Sequence, residues 1–173
     1  MRLRVDLARC TGCRRCETAC AFFHTGKVGA DVARIRVLHL YESGIDGPGM
    51  CVQCRERYCL ACLVGALSIG DHGQIVHSPT VCTLCGACRR ACPIGAVEIF
   101  RDLVYICDLC GGRPRCVEAC TEEAITIAPE DGEPPSLADL KRETRGLSPA
   151  ERRRHDLERR GRRVRDRWER KHA

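Results

Sequence analysis

Sixteen of the 173 residues are cysteines, and all of them fall into four short runs. The first, CTGCRRCETAC, carries Cys10, Cys13, Cys16 and Cys20; the second, CVQCRERYCLAC, carries Cys51, Cys54, Cys59 and Cys62. The third, CTLCGACRRAC, carries Cys82, Cys85, Cys88 and Cys92, with Pro93 behind it, and the fourth, CDLCGGRPRCVEAC, carries Cys107, Cys110, Cys116 and Cys120. Thiols at such spacing have three uses. Disulfides across loops this tight are strained. Structural zinc sites take two C-x2-C pairs separated by a longer stretch, whereas here four thiols come within about a dozen residues. Iron–sulfur clusters take runs of this kind. Cysteines three apart wrap one face of a cuboidal cluster, and a fourth, one helical turn on, points away toward a neighbouring cluster. Iron–sulfur chemistry is the first reading, with a zinc-binding adaptor as its rival.

Recurring elements surround the runs. GALSI at 65–69, GAVEI at 95–99 and EAITI at 123–127 each alternate small or polar residues with apolar ones, as a half-buried strand does. Residues 69–76 read as a hairpin turning at Asp71 to Gly73, and VEIF and LVYI flank Arg101 and Asp102 in the same way. The unit is a hairpin, a cysteine loop, a one-turn helix and the next hairpin. The first run differs. Cys20 leads into AFFHTGKVGADVARIRVLHLY, where Ile35, Val37 and Leu38 look like a longer strand and Phe22 and Phe23 would cover a cluster from water.

The rest of the composition fits a metal-organised body. Three Phe, three Tyr and one Trp are few for this length, and metal–ligand bonding can provide much of the folding free energy. The N-terminal residues MRLRVDLARC lack the apolar stretch of an export signal, and no apolar run is long enough to span a bilayer. A cytoplasmic protein without direct membrane insertion is expected, because dense thiols in reducing surroundings are ligands or redox groups. No Ser–His–Asp pattern, phosphate loop or carboxylate pair suggests catalysis, so no catalytic residue is assigned. His24, His39, His72, His77, His155 and His172 are scattered and read as surface residues; His24, four residues after Cys20, has the spacing to reach a cluster. Arginines within the runs, such as Arg14, Arg55, Arg89 and Arg115, would raise cluster potentials unless paired with acids.

The C-terminal part is of another kind. Residues 1–140 hold 15 Lys/Arg against 17 Asp/Glu, a net of −2, and residues 141–173 hold 14 against 6, a net of +8. PEDGEPPS at 129–136 is a breaker-rich linker, followed by a short helix that opens near Ser136 and Asp139 and stops at Gly146. Ser148, Pro149 and Glu151 mark a second start, of a helix to about residue 171. Gly161 should weaken it by about 1 kcal/mol. Its apolar stripe, Ala150, Leu157, Val164 and Trp168, is narrow for a core helix. The helix is a solvated extension, an arm for a partner subunit, or a segment folded onto its own body or another copy. Nucleic-acid binding is a rival use of its arginines, against which stand the lack of stacking aromatics and the negative charge of a cluster-loaded body.

The first and third runs match the C-x2-C-x2-C-x3-C run of bacterial ferredoxins, the third with its following proline. Over about residues 5–128 the four runs together resemble the four-cluster, sixteen-cysteine electron-transfer subunits of molybdenum and tungsten oxidoreductases. FFHTGKVGADVARIRV is most similar to the small subunits that accompany tungsten aldehyde oxidoreductases. This resemblance implies an α+β fold, a duplicated ferredoxin-like arrangement of two double-cluster modules with short β-hairpins and cysteine loops, to which the capping signals beyond it add a C-terminal helical tail. The domains would be a four-cluster polyferredoxin domain at 1–128, a linker with a short helix at 129–148 and a basic helical arm at 149–173. It implies four [4Fe–4S] clusters with crosswise ligand sets: Cys10, Cys13, Cys16 with Cys120; Cys107, Cys110, Cys116 with Cys20; Cys51, Cys54, Cys59 with Cys92; and Cys82, Cys85, Cys88 with Cys62. The implied role is electron transfer between a tungsten- or molybdenum-cofactor catalytic subunit and a flavin subunit or ferredoxin, without catalysis by this chain alone. Another oxidoreductase or a hydrogenase complex is the alternative. The second run departs from the pattern, with only Leu60 and Ala61 between its last two cysteines and Leu63 in place of the usual proline; Thr121 likewise stands where a proline is usual.

Overall fold

The structure is a computed structural model that describes residues 1–129 and 132–172; Glu130 and Asp131 of the expected linker and Ala173 at the end of the expected arm lie outside the described residues. In chain order the elements are β1 (Leu3–Val5), α1 (Arg15–Thr25), β2 (Ile35–Leu40), β3 (Ile45–Met50), β4 (Leu67–Ile69), β5 (Ile75–His77), α2 (Ala87–Ala91), β6 (Glu98–Phe100), β7 (Leu103–Tyr105), α3 (Arg115–Glu118), β8 (Ile125–Ile127), α4 (Ala138–Glu143) and α5 (Pro149–His172). Small strands and helices are thus mixed, with a C-terminal helix. Strands β2–β3, β4–β5 and β6–β7 form antiparallel hairpins, the last two where the alternating segments place them. The fourth pair joins distant ends of the chain, β1 to β8, with Leu3 opposite Ile127 and Val5 opposite Ile125.

Among the described residues, a smaller hydrophobic cluster holds Leu40, Ile45 and Leu157, and the two larger ones both contain cysteine. In one, Cys16, Cys20 and Cys116 lie among Leu3, Ala21, Ile35, Val37, Met50, Leu109 and Ile125. In the other, Cys59, Cys88 and Cys92 lie among Leu67, Ile75, Ile94, Val97, Val104, Ile106 and Leu140. Helix α1 runs for 11 residues, longer than the single turn expected, and buries Cys16, Glu17, Cys20 and Ala21. Their spacing puts them on one face. Phe22 and Phe23 fall off that face and stay 62% and 45% exposed, so they do not serve as a cover.

Helix α5 folds onto its own body. Its start is the expected capping box: the Ser148 N–H donates to Glu151 Oε2 at 2.7 Å, and the Glu151 N–H donates to Ser148 Oγ at 3.3 Å. Leu157 is fully buried against Leu40 and Ile45. The glycines that meet here are sites of close approach. A Cβ on Gly161 would overlap the Ile45 side chain, so this glycine is a site of close approach rather than a mere weak point of the helix. In strand β3, with the sequence IDGPGM, the Cβ position of Gly47 is filled by Leu7 and Leu157, and that of Gly49 adjoins Arg153. Glycine in a strand marks such approaches, and Pro48 is tolerated because a two-stranded ribbon is all edge.

Candidate metal centres

Each expected quartet of cysteines is gathered in space from two distant stretches of chain. Cys10, Cys13 and Cys16 line a void of about 340 Å3 together with Cys120, counted out to solvent. Cys107, Cys110 and Cys116 share one of about 330 Å3 with Cys20, and Cys82, Cys85 and Cys88 share one of about 320 Å3 with Cys62. In the fourth group, Cys59 and Cys92 are buried in one core with Cys51 packed against it, and burial raises the Cys59 thiol to about 12 and raises Cys51 as well. The shortened loop of the second run has not separated its cysteines from these groups.

Burial dominates the electrostatics of the thiols. It pushes Cys16 and Cys107 up to about 12 and Cys20 to about 11, because a thiolate alone in an apolar setting is poorly solvated. Cys85 moves the other way, held below the ordinary value by the Ala87 N–H and the Thr83 hydroxyl. All sixteen thiols are free, and only Cys13 and Cys85 are exposed.

The donors around the sulfurs follow a rule. Cys62, Cys92 and Cys120, the last cysteines of three runs, accept the backbone N–H four residues on, from Ala66 (3.3 Å), Ala96 (3.3 Å) and Ala124 (3.2 Å). Cys20, at the same place in the first run, accepts from Arg34 at 3.3 Å. Hydrogen bonds of this kind favour sulfur in its anionic, metal-binding form. The sulfurs are too far apart for a single metal ion. A tetrahedral zinc with ~2.3 Å bonds holds its sulfurs about 3.8 Å apart. Among the described residues, the one group of three or more metal-binding side chains with ligand atoms all within 4.8 Å of one another is His24, Asp108 and Cys110, which holds only one thiol. Three quartets of cysteine around voids of similar size suit a polynuclear cluster.

His24 is not the surface residue that its isolation in the sequence suggests. Its Nε2 lies 3.7 Å from Cys110 Sγ and 3.4 Å from Asp108 Oδ1, while Arg34 holds the other oxygen of Asp108 at 2.5 Å. Burial, then the Arg34 guanidinium, keep this imidazole below its ordinary value. The four-residue step from Cys20 was the available signal, since it puts His24 on the helix face of that cysteine. Several of the arginines within the runs are engaged with acids: Arg14 with Glu17, Arg55 with Glu133, Arg89 with Glu98, and Arg113 and Arg115 with Glu118.

Comparison with known proteins agrees with this chemistry. Two family models, each described as a 4Fe-4S binding domain, match residues 3–26 and 75–98. The chain is 43% identical over 118 residues to the aliphatic sulfonate oxidoreductase polyferredoxin-like subunit of Pyrococcus furiosus, covering 66% of this chain and 68% of that one. It is 36% identical over 137 residues to the Escherichia coli putative electron transport protein YsaA, covering 69% and 84%. A chain of the BamBC active site complex of benzoyl coenzyme A reductase is similar at 23% identity over 84% of this chain and 90% of that one, with a TM-score of 0.42, too slight a likeness to carry weight. With sulfur quartets in place and relatives of this kind on either side, the chain belongs to the 4Fe-4S, polyferredoxin-like family of electron-transport subunits that serve oxidoreductases.

Proposed function

We propose that this chain holds four [4Fe–4S] clusters in a row, in a duplicated ferredoxin-like body, and passes electrons between a tungsten- or molybdenum-cofactor catalytic subunit and a flavin subunit or ferredoxin. The ligand sets are the four quartets: Cys10, Cys13, Cys16 and Cys120; Cys20, Cys107, Cys110 and Cys116; Cys51, Cys54, Cys59 and Cys92; Cys62, Cys82, Cys85 and Cys88. When bound, such clusters supply reversible one-electron transfer. The thiolates fill every ligand position, so the chain offers no metal site to a substrate and is not catalytic alone. The apolar shells of the two cores exclude water from the inner sulfurs, and the N–H donors at Cys20, Cys62, Cys92 and Cys120 stabilise their charge.

The observation that carries this reading is the order of the quartets. Cys16 and Cys20 stand one helical turn apart on α1, which links the first quartet to the second, and Gln53, between Cys51 and Cys54, donates through Nε2 to the Cys107 carbonyl at 3.4 Å, which links the second to the third. Cys88 and Cys92 stand one helical turn apart on and just beyond α2, linking the third to the fourth. The exposed thiols, Cys13 and Cys85, belong to the two ends of this row. A conductor needs contact with partners at its ends and insulation between them. No helix among the described residues is long and apolar enough to cross a membrane, and we place the protein in the cytoplasm, where thiols stay reduced.

The test is anaerobic purification of the complex with metal and sulfide analysis. About sixteen irons per chain, with tungsten or molybdenum in the co-purified partner, are expected. Fewer than about twelve irons would overturn the four-cluster assignment. The pairing is tested separately: Cys10→Ala and Cys120→Ala should perturb the same spectroscopic centre, although the two residues lie at opposite ends of the body sequence.

A further inference from the structure

The segment after residue 136 makes a set of contacts that its charge alone would not require. Helix α2 stops at Ala91, and Cys92 is extended. The last carbonyls of a helix have no partner within it and must find one elsewhere. Here side chains of the C-terminal segment supply them. Lys141 Nζ donates to the Ala91 carbonyl at 3.1 Å and Thr144 Oγ1 to that of Pro93 at 3.2 Å. Arg152 Nη1 donates to the carbonyls of Arg90 at 2.6 Å and Cys92 at 2.9 Å, and Arg153 Nη1 to that of Gly95 at 2.6 Å.

The seat is shaped for this segment. A Cβ on Gly95 would overlap the backbone of Pro149, so the first turn of α5 rests directly on the loop that follows Cys92. Leu140 is buried in the core that contains Cys92. Three cations, Lys141, Arg152 and Arg153, therefore converge on four residues, Arg90, Ala91, Cys92 and Gly95. Among the described residues, only Arg153 of these three has a close acidic partner, Glu98 at 2.5 Å, and Glu98 also faces Arg89 at 3.4 Å.

We propose that α4 and the first turn of α5 form a working part of the Cys51, Cys54, Cys59 and Cys92 centre: they fix the backbone that presents Cys92, and Lys141 and Arg152 bias that centre toward its reduced state. Lys141, Thr144 and Arg152 are positioning residues, acting through the peptide groups on either side of the ligand. The physical reason for the bias is that reduction adds negative charge, which a nearby cation in a partly buried setting stabilises. The inference rests on the four-cluster reading above.

The test is an anaerobic redox titration, followed by electron paramagnetic resonance, of the full-length loaded protein and of its Lys141→Gln/Arg152→Gln double variant. Lys141→Arg serves as the charge-preserving control, and Arg153 is left in place because its removal strands Glu98. The expected result is that one of four centres becomes at least tenfold harder to reduce, about 59 mV for a one-electron couple, while the control and the other three centres are unmoved. Loss of one centre alone, with about four irons gone, supports the positioning role equally well. Unchanged potentials with full iron, or an equal shift in all four centres, would overturn the inference and leave the four-cluster reading intact. Unmodified protein without clusters refutes that reading itself, and the inference with it.

Discussion

The backbone N–H of Ala96 donates to the sulfur of Cys92 across four residues, and the same relation joins Ala66 to Cys62 and Ala124 to Cys120. The turn that makes this reach needs a left-handed residue third in line. Gly65 (φ 66°) and Gly95 (φ 59°) supply it at no steric cost, but Glu123 (φ 50°) does not. Glu123→Gly should therefore stabilise the folded protein by about 0.5–1 kcal/mol, after the loss of the exposed Arg9–Glu123 ion pair. Gly65→Ala, with open space around its Cβ, should cost about 1 kcal/mol from backbone strain alone. Denaturant midpoints of the loaded proteins check both signs.

Gly161 separates two accounts of α5. Helix propensity says that Gly161→Ala gains about 1 kcal/mol. Contact with Ile45 says that the added methyl overpacks the seat and costs about 1–3 kcal/mol. We expect destabilisation. Leu157→Ala, in the same seat, should cost about 2–5 kcal/mol and free the α5 amides to exchange, with iron content unaltered.

Ser148→Ala should cost about 1 kcal/mol through loss of the cap. The cap also makes α5 sensitive to acid. Hydrogen bonds from the Ser148 hydroxyl and N–H hold the Glu151 carboxyl below its ordinary value. A lowered folded value means that the contribution is complete above the unfolded value of about 4.3 and fades as pH falls through the folded one. Protection of the first-turn amides of α5, taken relative to their intrinsic exchange rates, should fall over that window in the unmodified protein, and this step should be missing in Glu151→Gln.

Removal of metal should loosen both cores, because Cys16, Cys20 and Cys116 in one and Cys59, Cys88 and Cys92 in the other are part of the packing. Near-ultraviolet dichroism should collapse on anaerobic chelation and return with iron and sulfide. Since burial raises thiols such as Cys16 and Cys59, uptake by the folded chain must release protons and should grow more favourable as pH rises. Uptake that is equally strong at every pH between about 6 and 9 would contradict this.

The sequence made the thiol chemistry plain because metal ligands must recur at fixed spacing, and it made the β4–β5 and β6–β7 hairpins plain because alternation survives in short strands. Strand β3 was hidden because Gly47 and Gly49 are small for reasons that lie about 110 residues away, in Leu157 and Arg153. The seat of α5 was hidden by the same long-range exchange. Its narrow stripe looked too thin for a core, but Leu157 needs only a small hole when Gly47 faces it from β3. The role of His24 depended on Asp108 and Cys110, which only the folded chain brings within reach.

The pairing of β1 with β8 sets an order on biosynthesis. A ribosome adding about 5–20 residues per second needs on the order of ten seconds to travel from Cys20 to Cys120. Over that interval the amino-terminal thiols have emerged while the segment that will enclose them does not yet exist. The middle of the protein can close first, and the oldest residues of the nascent chain are the last to be sealed.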